Sequence, residues 1–575
     1  MKILGLNSFH ADAAAALIID GKLVEAIEEE RLSRKKHHHG FPYLSIKHCL
    51  NNNNIEPKDI NVVAISTSPN SNLKQKILFT IKNPSIKRVL GFLKRRKNKF
   101  NIKKTLIEMG FPDNIEVAYF EHHLCHIQSA YAGISTKSAV LTVDGFGDFL
   151  SCKGGFIDQE MQFNKLFEVP YPHSLGIFYQ SMTQFLGFKH YGDEYKIMGL
   201  APYGEPKYFN DILKIINLHK KGFSLNLSYF QHHLVDIEDI KDNIPTFKDL
   251  FSEKLTESFP DIVRDGRGQD KSSKDFAASV QKVYEHAFLH LLNLLKVADP
   301  DIQNLAVAGG CGNNSVANGK IKPLGIYNNI YVPASSGDAG CAIGAAVLAS
   351  ENKSLVRESF FSPYLANTLK ESDIPSIIQD AETNKFFIYK DFPNKEPEEI
   401  LAELIFSGLI CGRCSGEMEW GPRALGNRSI LASPTDLNIR EKINAKIKFR
   451  ELFRPFAPSF LEEEVVNWLE VDDVVPYMMK VYNVKEEKRN VISAVTHVDG
   501  SARLQSVSKK SNSKYYNLIK HFQKLSGVPT VLNTSLNENE PIVSSYHEAY
   551  SVFKRTDMDA IQLGEVIVSR KEYQI

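Results

Sequence analysis

Two histidines four residues apart are the first candidates for chemistry. His122 and His126 stand in Glu-His-His-Leu-Cys-His. On a helix, residues i and i+4 project from one face, so both imidazoles could clasp a single metal ion. Asp144 ends an apolar strand in Val-Asp-Gly-Phe-Gly-Asp, and Asp338 lies in Ala-Ser-Ser-Gly-Asp-Ala-Gly ahead of a helix. Carboxylates at strand ends face ligand crevices, and two His with two Asp make a divalent set that suits Fe, Zn or Mn. Singly, each Asp-Gly pair is also ordinary turn chemistry; the four together carry the reading.

A second group of residues points to anions. Gly309-Gly310-Cys311-Gly312-Asn313-Asn314 follows an apolar strand and precedes a helix, which puts backbone N–H groups where a phosphate or adenosine could approach. Farther on, Arg423, Asn427 and Arg428 lie among Gly and Pro, and Lys448, Arg450 and Arg454 precede Pro-Phe-Ala-Pro. Prolines and aromatics fix such a loop and partly bury it, so these five cations read as an anion cradle. His497, Arg503 and Gln505, then Asn533 and Ser535 after another apolar strand, add polar groups suited to a phosphate or ribose. His37-His38-His39 follows Arg34, Lys35 and Lys36, whose charge would repel a metal cation; it reads as an exposed or anion-facing loop.

The elements that position these residues can be read in outline. Residues 3 to 28 form strand, turn, apolar strand, Asp20-Gly21 turn and a third strand, a three-stranded meander. A like unit restarts at Ala139, so the N-terminal half reads as an internal duplication. A helix-like run (Phe276 to Val297) and two strand-turn-helix units follow, and a Glu, Lys, Ser and Pro-rich shift at Glu351 to Pro363 marks a domain boundary. The expected domains are 1–355 and 356–575.

Composition narrows the class. Lys+Arg 69 against Asp+Glu 68 leaves +1, so no chain-wide field argues for nucleic acid as the main ligand. The N-terminus has no apolar leader and nowhere do 18 apolar residues run together, which predicts a cytoplasmic protein with no transmembrane segment. Seven scattered cysteines read as reduced structural thiols. Between Lys74 and Lys104 lie twelve Lys/Arg and no acid, with apolar residues interleaved; this is a solvated face or a peripheral contact for an anionic surface.

Together these segments resemble the NodU/CmcH family of O-carbamoyltransferases over nearly the whole chain. The carriers are Gly5-Leu-Asn-Ser-Phe-His10-Ala-Asp12-Ala-Ala, Glu29-Glu-Arg31-Leu-Ser-Arg34, the His122 to His126 run, Lys196-Ile-Met-Gly-Leu-Ala-Pro-Tyr-Gly204, Trp420-Gly-Pro-Arg-Ala-Leu-Gly-Asn-Arg-Ser-Ile430, Phe453-Arg-Pro-Phe-Ala-Pro458 and Asn533-Thr-Ser535. The resemblance implies an α/β protein with a duplicated actin/Hsp70-like (ASKHA, TsaD-like) N-terminal domain and a YrdC-like C-terminal domain. It implies that the second makes carbamoyl-AMP from carbamoyl phosphate and MgATP and that the first transfers the carbamoyl group. His122, His126, Asp144 and Asp338 then fall on metal-ligand positions, for iron first, and Arg423, Lys448, Arg503 and Ser535 on adenylate-binding positions. Trp420, Cys311 and Cys411 depart from the family pattern, which touches nucleotide packing more than chemistry.

The expected reaction is ATP-dependent O-carbamoylation of a hydroxyl on a small molecule or sugar, such as an antibiotic, a nodulation-factor-like molecule or a surface glycan. Lys448 and Arg503 are expected to neutralise phosphate charge, and His10 or Asp12 to orient or deprotonate the acceptor. The rivals are a tRNA threonylcarbamoyl-transfer protein, disfavoured by the near-zero charge, and a nucleotide-switch ASKHA module, disfavoured by the intact Lys448, Arg450, Arg454 and Ser535. The acceptor pocket is expected from the stretch near residues 205 to 275. The sequence leaves the oligomeric state open.

Overall fold

The computed structural model describes residues 1–82, 101–131, 134, 136–234, 238–351, 362–390, 392 and 394–573. Most of the basic stretch at 74–104 and the expected boundary at 355 lie outside the described residues. The chain forms two compact units, Met1–Phe361 and Ser362–Ile575, with mixed α/β sheets in each.

Two five-stranded sheets of one design build the first unit. In one, Lys2–Asn7, Ala14–Ile19 and Lys22–Glu28 form an antiparallel meander, and Val62–Ile65 then Glu116–Tyr119 add in parallel on the other side of Lys2–Asn7. In the other, Ser138–Gly147, Leu150–Ile157 and Phe163–Pro170 make the meander, and Asn304–Ala308 then Asn329–Tyr331 add in parallel. Order and sense coincide, so the same topology occurs twice. Strands such as Ala14–Ile19 read as unbroken apolar runs because both faces of the sheet are covered.

The helix Gly340–Ala349 packs on the first sheet and against the helix His122–Tyr131, which packs on the second, and its sequence explains how. Its side chains are mostly Gly, Ala and Cys, which lets backbones approach closely. A Cβ at Gly5 would stand 2.0 Å from the Ala342 carbonyl oxygen, and one at Gly344 would stand 1.8 Å from that of Cys125, in the helix His122–Tyr131. A Gly344→Ala change therefore has to separate two buried helices. We expect a loss of about 3 kcal/mol, read as a lower urea midpoint at unchanged slope.

The long helix Lys271–Ala298 begins five residues before the run read from periodicity, because the Asp270 carboxylate accepts the Ser272 N–H and caps it there. The second unit is built on a nine-stranded mixed sheet whose centre is Cys411–Cys414, Arg428–Ala432, Thr530–Ser535 and Ala457–Leu461. Pro397–Phe406 and Ser513–Ser526 pack on each other against it, and the fully buried Arg413 is paired with Glu398 at 3.1 Å. The described cysteines are free thiols, six of them buried. No helix among the described residues is long and apolar enough to cross a membrane.

Candidate functional site

In the first unit, His122, His126, Asp144 and Asp338 converge. The two Nε2 atoms lie 3.1 Å apart; His122 Nε2 is 3.5 Å from both Asp144 Oδ2 and Asp338 Oδ1, and His126 Nε2 is 3.9 and 3.6 Å from the same oxygens. An ion held at about 2.0–2.2 Å by each of four ligands sets them about 3.0–3.5 Å apart, so the set fits one divalent cation. Two imidazole nitrogens facing each other at 3.1 Å cannot both carry protons, which further suits a shared ion.

Each ligand is positioned by backbone chemistry. Asp148 holds the start of the His122 helix: its carboxylate accepts from His122 N at 3.0 Å, Ser68 N at 2.8 Å and Thr67 Oγ1 at 2.7 Å. Gly147 leaves room for the His122 ring, since a Cβ there would stand 2.0 Å from it. Asp144 Oδ1 accepts from Gly310 N at 2.8 Å. Thus Gly310, expected near a phosphate, orients a carboxylate, and Gly309 turns at φ 89° beneath the Val143 carbonyl. Asn313 lies in the same turn, its buried Oδ1 without a hydrogen-bond partner.

Charge balance follows. Burial opposes an imidazolium at His122, but Asp144 and Asp338 overcome it and its pKa lies well above the ordinary value. Burial likewise resists ionising Asp338, yet His122, His126 and His10 hold its carboxyl well below the usual range. Without an ion the pocket therefore favours a proton on His122.

His10 and Asp12 part company within one turn. Asn7 shapes that turn by donating to the carbonyls of Ala11 and Asp12, both at 3.1 Å. His10 stacks on His122, centroids 5.1 Å apart, with Nδ1 3.7 Å from Asp338 Oδ2. Asp12, at φ 56°, instead pairs with His37 Nδ1 at 2.9 Å. The His37 to His39 loop is thus anion-facing at His37, toward a carboxylate 25 residues away that its local sequence does not announce, while His38 and His39 are buried.

In the second unit, Lys448 Nζ is ringed by Ser535 O at 2.5 Å, Ser535 Oγ at 3.1 Å, Asn537 O at 2.8 Å and Asn537 Oδ1 at 2.6 Å. Arg503 shares its surroundings with Arg423 and Arg454; burial first, then these two cations, push its pKa well down. His497, its pKa lowered to about 4 by burial and against the pull of Asp499, is neutral beside Arg503, with a buried Nε2 that has no hydrogen-bond partner. Three guanidiniums and a neutral imidazole form a region prepared for an anion.

Other expected contacts brace that region. Arg428 is fully buried and donates to the carbonyls of Gly416 and Asn427 at 3.0 and 2.9 Å. Asn427 Nδ2 donates to Glu417 O at 2.8 Å, and its Oδ1 accepts from Arg413 and Asn512, each at 2.9 Å. Gln505 and Asn533 donate to the carbonyls of Leu425 and Ala424 at 3.0 and 3.2 Å; Gln505 also accepts from the Ser459 hydroxyl, and Asn533 donates to it. Arg450 Nε donates to Asn444 Oδ1 at 2.8 Å and its guanidinium lies over Phe456. Glu419 went unremarked in the sequence, yet its Oε1 accepts the N–H groups of Leu425, Asn427 and Arg428 at 2.8–3.0 Å and so shapes the loop carrying Arg423.

Two family models match the chain, described as carbamoyltransferase N-terminus over residues 2–347 and carbamoyltransferase C-terminus over residues 402–570. Similar relatives include an uncharacterized protein of Synechocystis sp., 33% identical over 99% of this chain and 96% of that protein. The nodulation protein NolNO of Sinorhizobium fredii is 34% identical over 98% of this chain and 80% of its own length. Nodulation protein U of Rhizobium tropici is 27% identical over 93% of this chain and 91% of its own.

Proposed function

This chain belongs to the carbamoyltransferase family, and from that premise we propose that it is an ATP-dependent O-carbamoyltransferase acting on a hydroxyl of a small molecule or sugar. The observation that carries the reading is the convergence of His122, His126, Asp144 and Asp338 in a unit separate from the Arg423, Arg454 and Arg503 cluster. The chain has two sites of opposite character, one for a cation and one for an anion.

The C-terminal unit, read as YrdC-like, activates the carbamoyl group. Carbamoyl phosphate loses inorganic phosphate to water, the resulting carbamate oxygen attacks the α-phosphorus of MgATP, and pyrophosphate leaves. Free carbamate is a poor electrophile because its leaving group would be oxide or hydroxide; the mixed anhydride expels AMP instead. Arg423, Arg454 and Arg503 neutralise the phosphate charge, each well-placed donor being worth roughly 3–4 kcal/mol. Lys448 fixes the Ser535–Asn537 turn.

The N-terminal unit, with its doubled sheet topology, is read as the actin/Hsp70-like transfer domain. A divalent ion bound by the quartet, iron by family likeness, would supply a Lewis acid for a carbonyl or phosphate oxygen. His10 orients Asp338, and the Gly310 N–H fixes Asp144. The acceptor oxygen attacks the carbamoyl carbon and AMP leaves with the electron pair.

The deciding experiment mixes metal-replete protein with MgATP and carbamoyl phosphate, without acceptor, and follows pyrophosphate and carbamoyl-AMP by mass spectrometry. Both products are expected. No adenylate, or adenylate from bicarbonate and threonine alone, overturns the reading.

A further inference from the structure

We propose that His37 and Asp12 form the base that takes the acceptor's proton: Asp12 holds Nδ1 and Nε2 receives the hydrogen. The proposal rests on the carbamoyl-transfer reading above and names a residue for its second step.

The geometry begins with commitment of one ring nitrogen. Asp12 Oδ1 lies 2.9 Å from His37 Nδ1, and the His37 main-chain N–H donates to Glu30 Oε2 at 2.8 Å, so ring and backbone are both fixed. A proton on Nδ1, bonded to the carboxylate, leaves the Nε2 lone pair as the acceptor. Gly192 makes room for the ring, since a Cβ there would stand 2.4 Å from Nε2, and the His37 side chain keeps 25% of its surface exposed. Phe9, Asp12, Arg34 and His37 all hold positive φ, between 54° and 59°, in the two loops that build the pair. Such backbone is costly for residues with a Cβ and is concentrated where geometry must be held.

Location ties the pair to both reaction centre and acceptor. Asp12 is two residues from His10, whose Nδ1 reaches Asp338. The His37 ring meets the edge of Tyr191, centroids 5.0 Å apart; burial first, then Asp12, Asp338, Glu194 and Asp144, drive the Tyr191 phenol pKa well up. Above the loop sits the hairpin tip Asp242-Asn243: Lys35 Nζ donates to the Asp242 carbonyl at 3.2 Å and His39 N to that of Asn243 at 2.6 Å. Phe247 of the same hairpin stacks on Tyr191. The pair therefore adjoins both the turn whose His10 reaches Asp338 and the segment expected to shape the acceptor pocket.

The step balances without further reactants. The acceptor O–H gives its proton to His37 Nε2 as its oxygen bonds the carbamoyl carbon; the carbon–oxygen bond to AMP breaks, and AMP takes the electron pair. The proton then passes from His37 to solvent. The arrangement is that of a nucleophile, an imidazole and an orienting carboxylate, with the acceptor hydroxyl in the nucleophile's place. Around His37, burial lowers its pKa, Asp12 and Glu30 raise it beyond that, and Lys36 opposes them; Glu194, pushed by burial to about 7, faces it from the Tyr191 segment. The net direction is upward.

Two readouts test this in the full chain. Histidine C2–H exchange by mass spectrometry should give His37 a pKa above the ordinary value of about 6.5. In Asp12→Asn it should fall below, because a carboxylate that stabilised the imidazolium is gone. Carbamoyl transfer to glycerol from MgATP and carbamoyl phosphate should drop about 10²–10⁴-fold in His37→Ala, with adenylate formation unchanged and added imidazole restoring part of the rate. A His37 pKa unmoved by Asp12→Asn, or transfer by His37→Ala within about threefold of the parent, overturns the proposal. Wild-type protein that makes no adenylate overturns the transfer reading instead, and the exchange readout still decides on the pair.

Discussion

His126→Ala protein is expected to emerge with its divalent metal reduced from about one equivalent to under about a tenth, and carbamoyl transfer lowered about a thousandfold, while carbamoyl-AMP still forms. The separation of effects follows from the two units: the quartet belongs to Met1–Phe361 and the arginine cluster to Ser362–Ile575. Loss of one nitrogen leaves Asp144 and Asp338 with less positive charge than they were placed against. Because the ion-free fold favours a proton on His122, metal binding must expel it. Affinity then falls about tenfold per pH unit as pH drops below that raised pKa. The stabilising effect of the His122 proton is full below the unfolded value of about 6.5 and fades as pH rises through the folded one. Chelation should therefore lower the melting temperature more at pH 8 than at pH 6. Elemental analysis of untagged protein and calorimetry in two buffers check both points. Metal retained by His126→Ala would refute the assignment.

The quartet was legible in the sequence because its members sit at places the backbone advertises: two helix positions one turn apart, one residue where a strand's pairing breaks after Val143, and one helix start. What joins them over more than two hundred residues was less visible, since it depends on Gly5 and Gly344 admitting a helix backbone, and a glycine in a helix reads only as a weak point. The doubled meander was legible from turns and apolar strands. The nine-stranded order of the second unit was not, because its neighbours are far apart in sequence. His37 faces an anion, as one of the two readings of its loop has it, but which anion was not legible, for a physical reason. Lys35 and Lys36 beside it suggested repulsion, but Lys35 is spent on the Asp242 carbonyl, and the positive φ at Asp12 turns a carboxylate toward the ring. Gln505 and Asn533 show the converse: their types suit a ribose, yet burial has used them to hold the Ala424-Leu425 main chain.

Arg503→Ala and Lys448→Ala are expected to look alike in activity and opposite in stability. Arg503 stands beside Arg423 and Arg454 in a partly buried setting, and both burial and like charge work against its ionised form. The like charges repel until an anion arrives, so removing Arg503 takes away that repulsion together with a phosphate contact. We expect adenylate formation to fall about 10²–10³-fold, with stability of the C-terminal unit raised by about 1 kcal/mol, or about 2–4 °C in melting temperature. Lys448 is the reverse. Its ammonium donates to the carbonyls of Ser535 and Asn537 and to Asn537 Oδ1 and so ties the turn together; Lys448→Ala should lose adenylate formation and also about 2–3 kcal/mol of stability. Pyrophosphate release and thermal melts on the same preparations measure both. If Arg503→Ala melts well below the parent, the arginine cluster is part of the scaffold; a rise in stability with loss of adenylation marks it as a site whose favourable partner is the triphosphate.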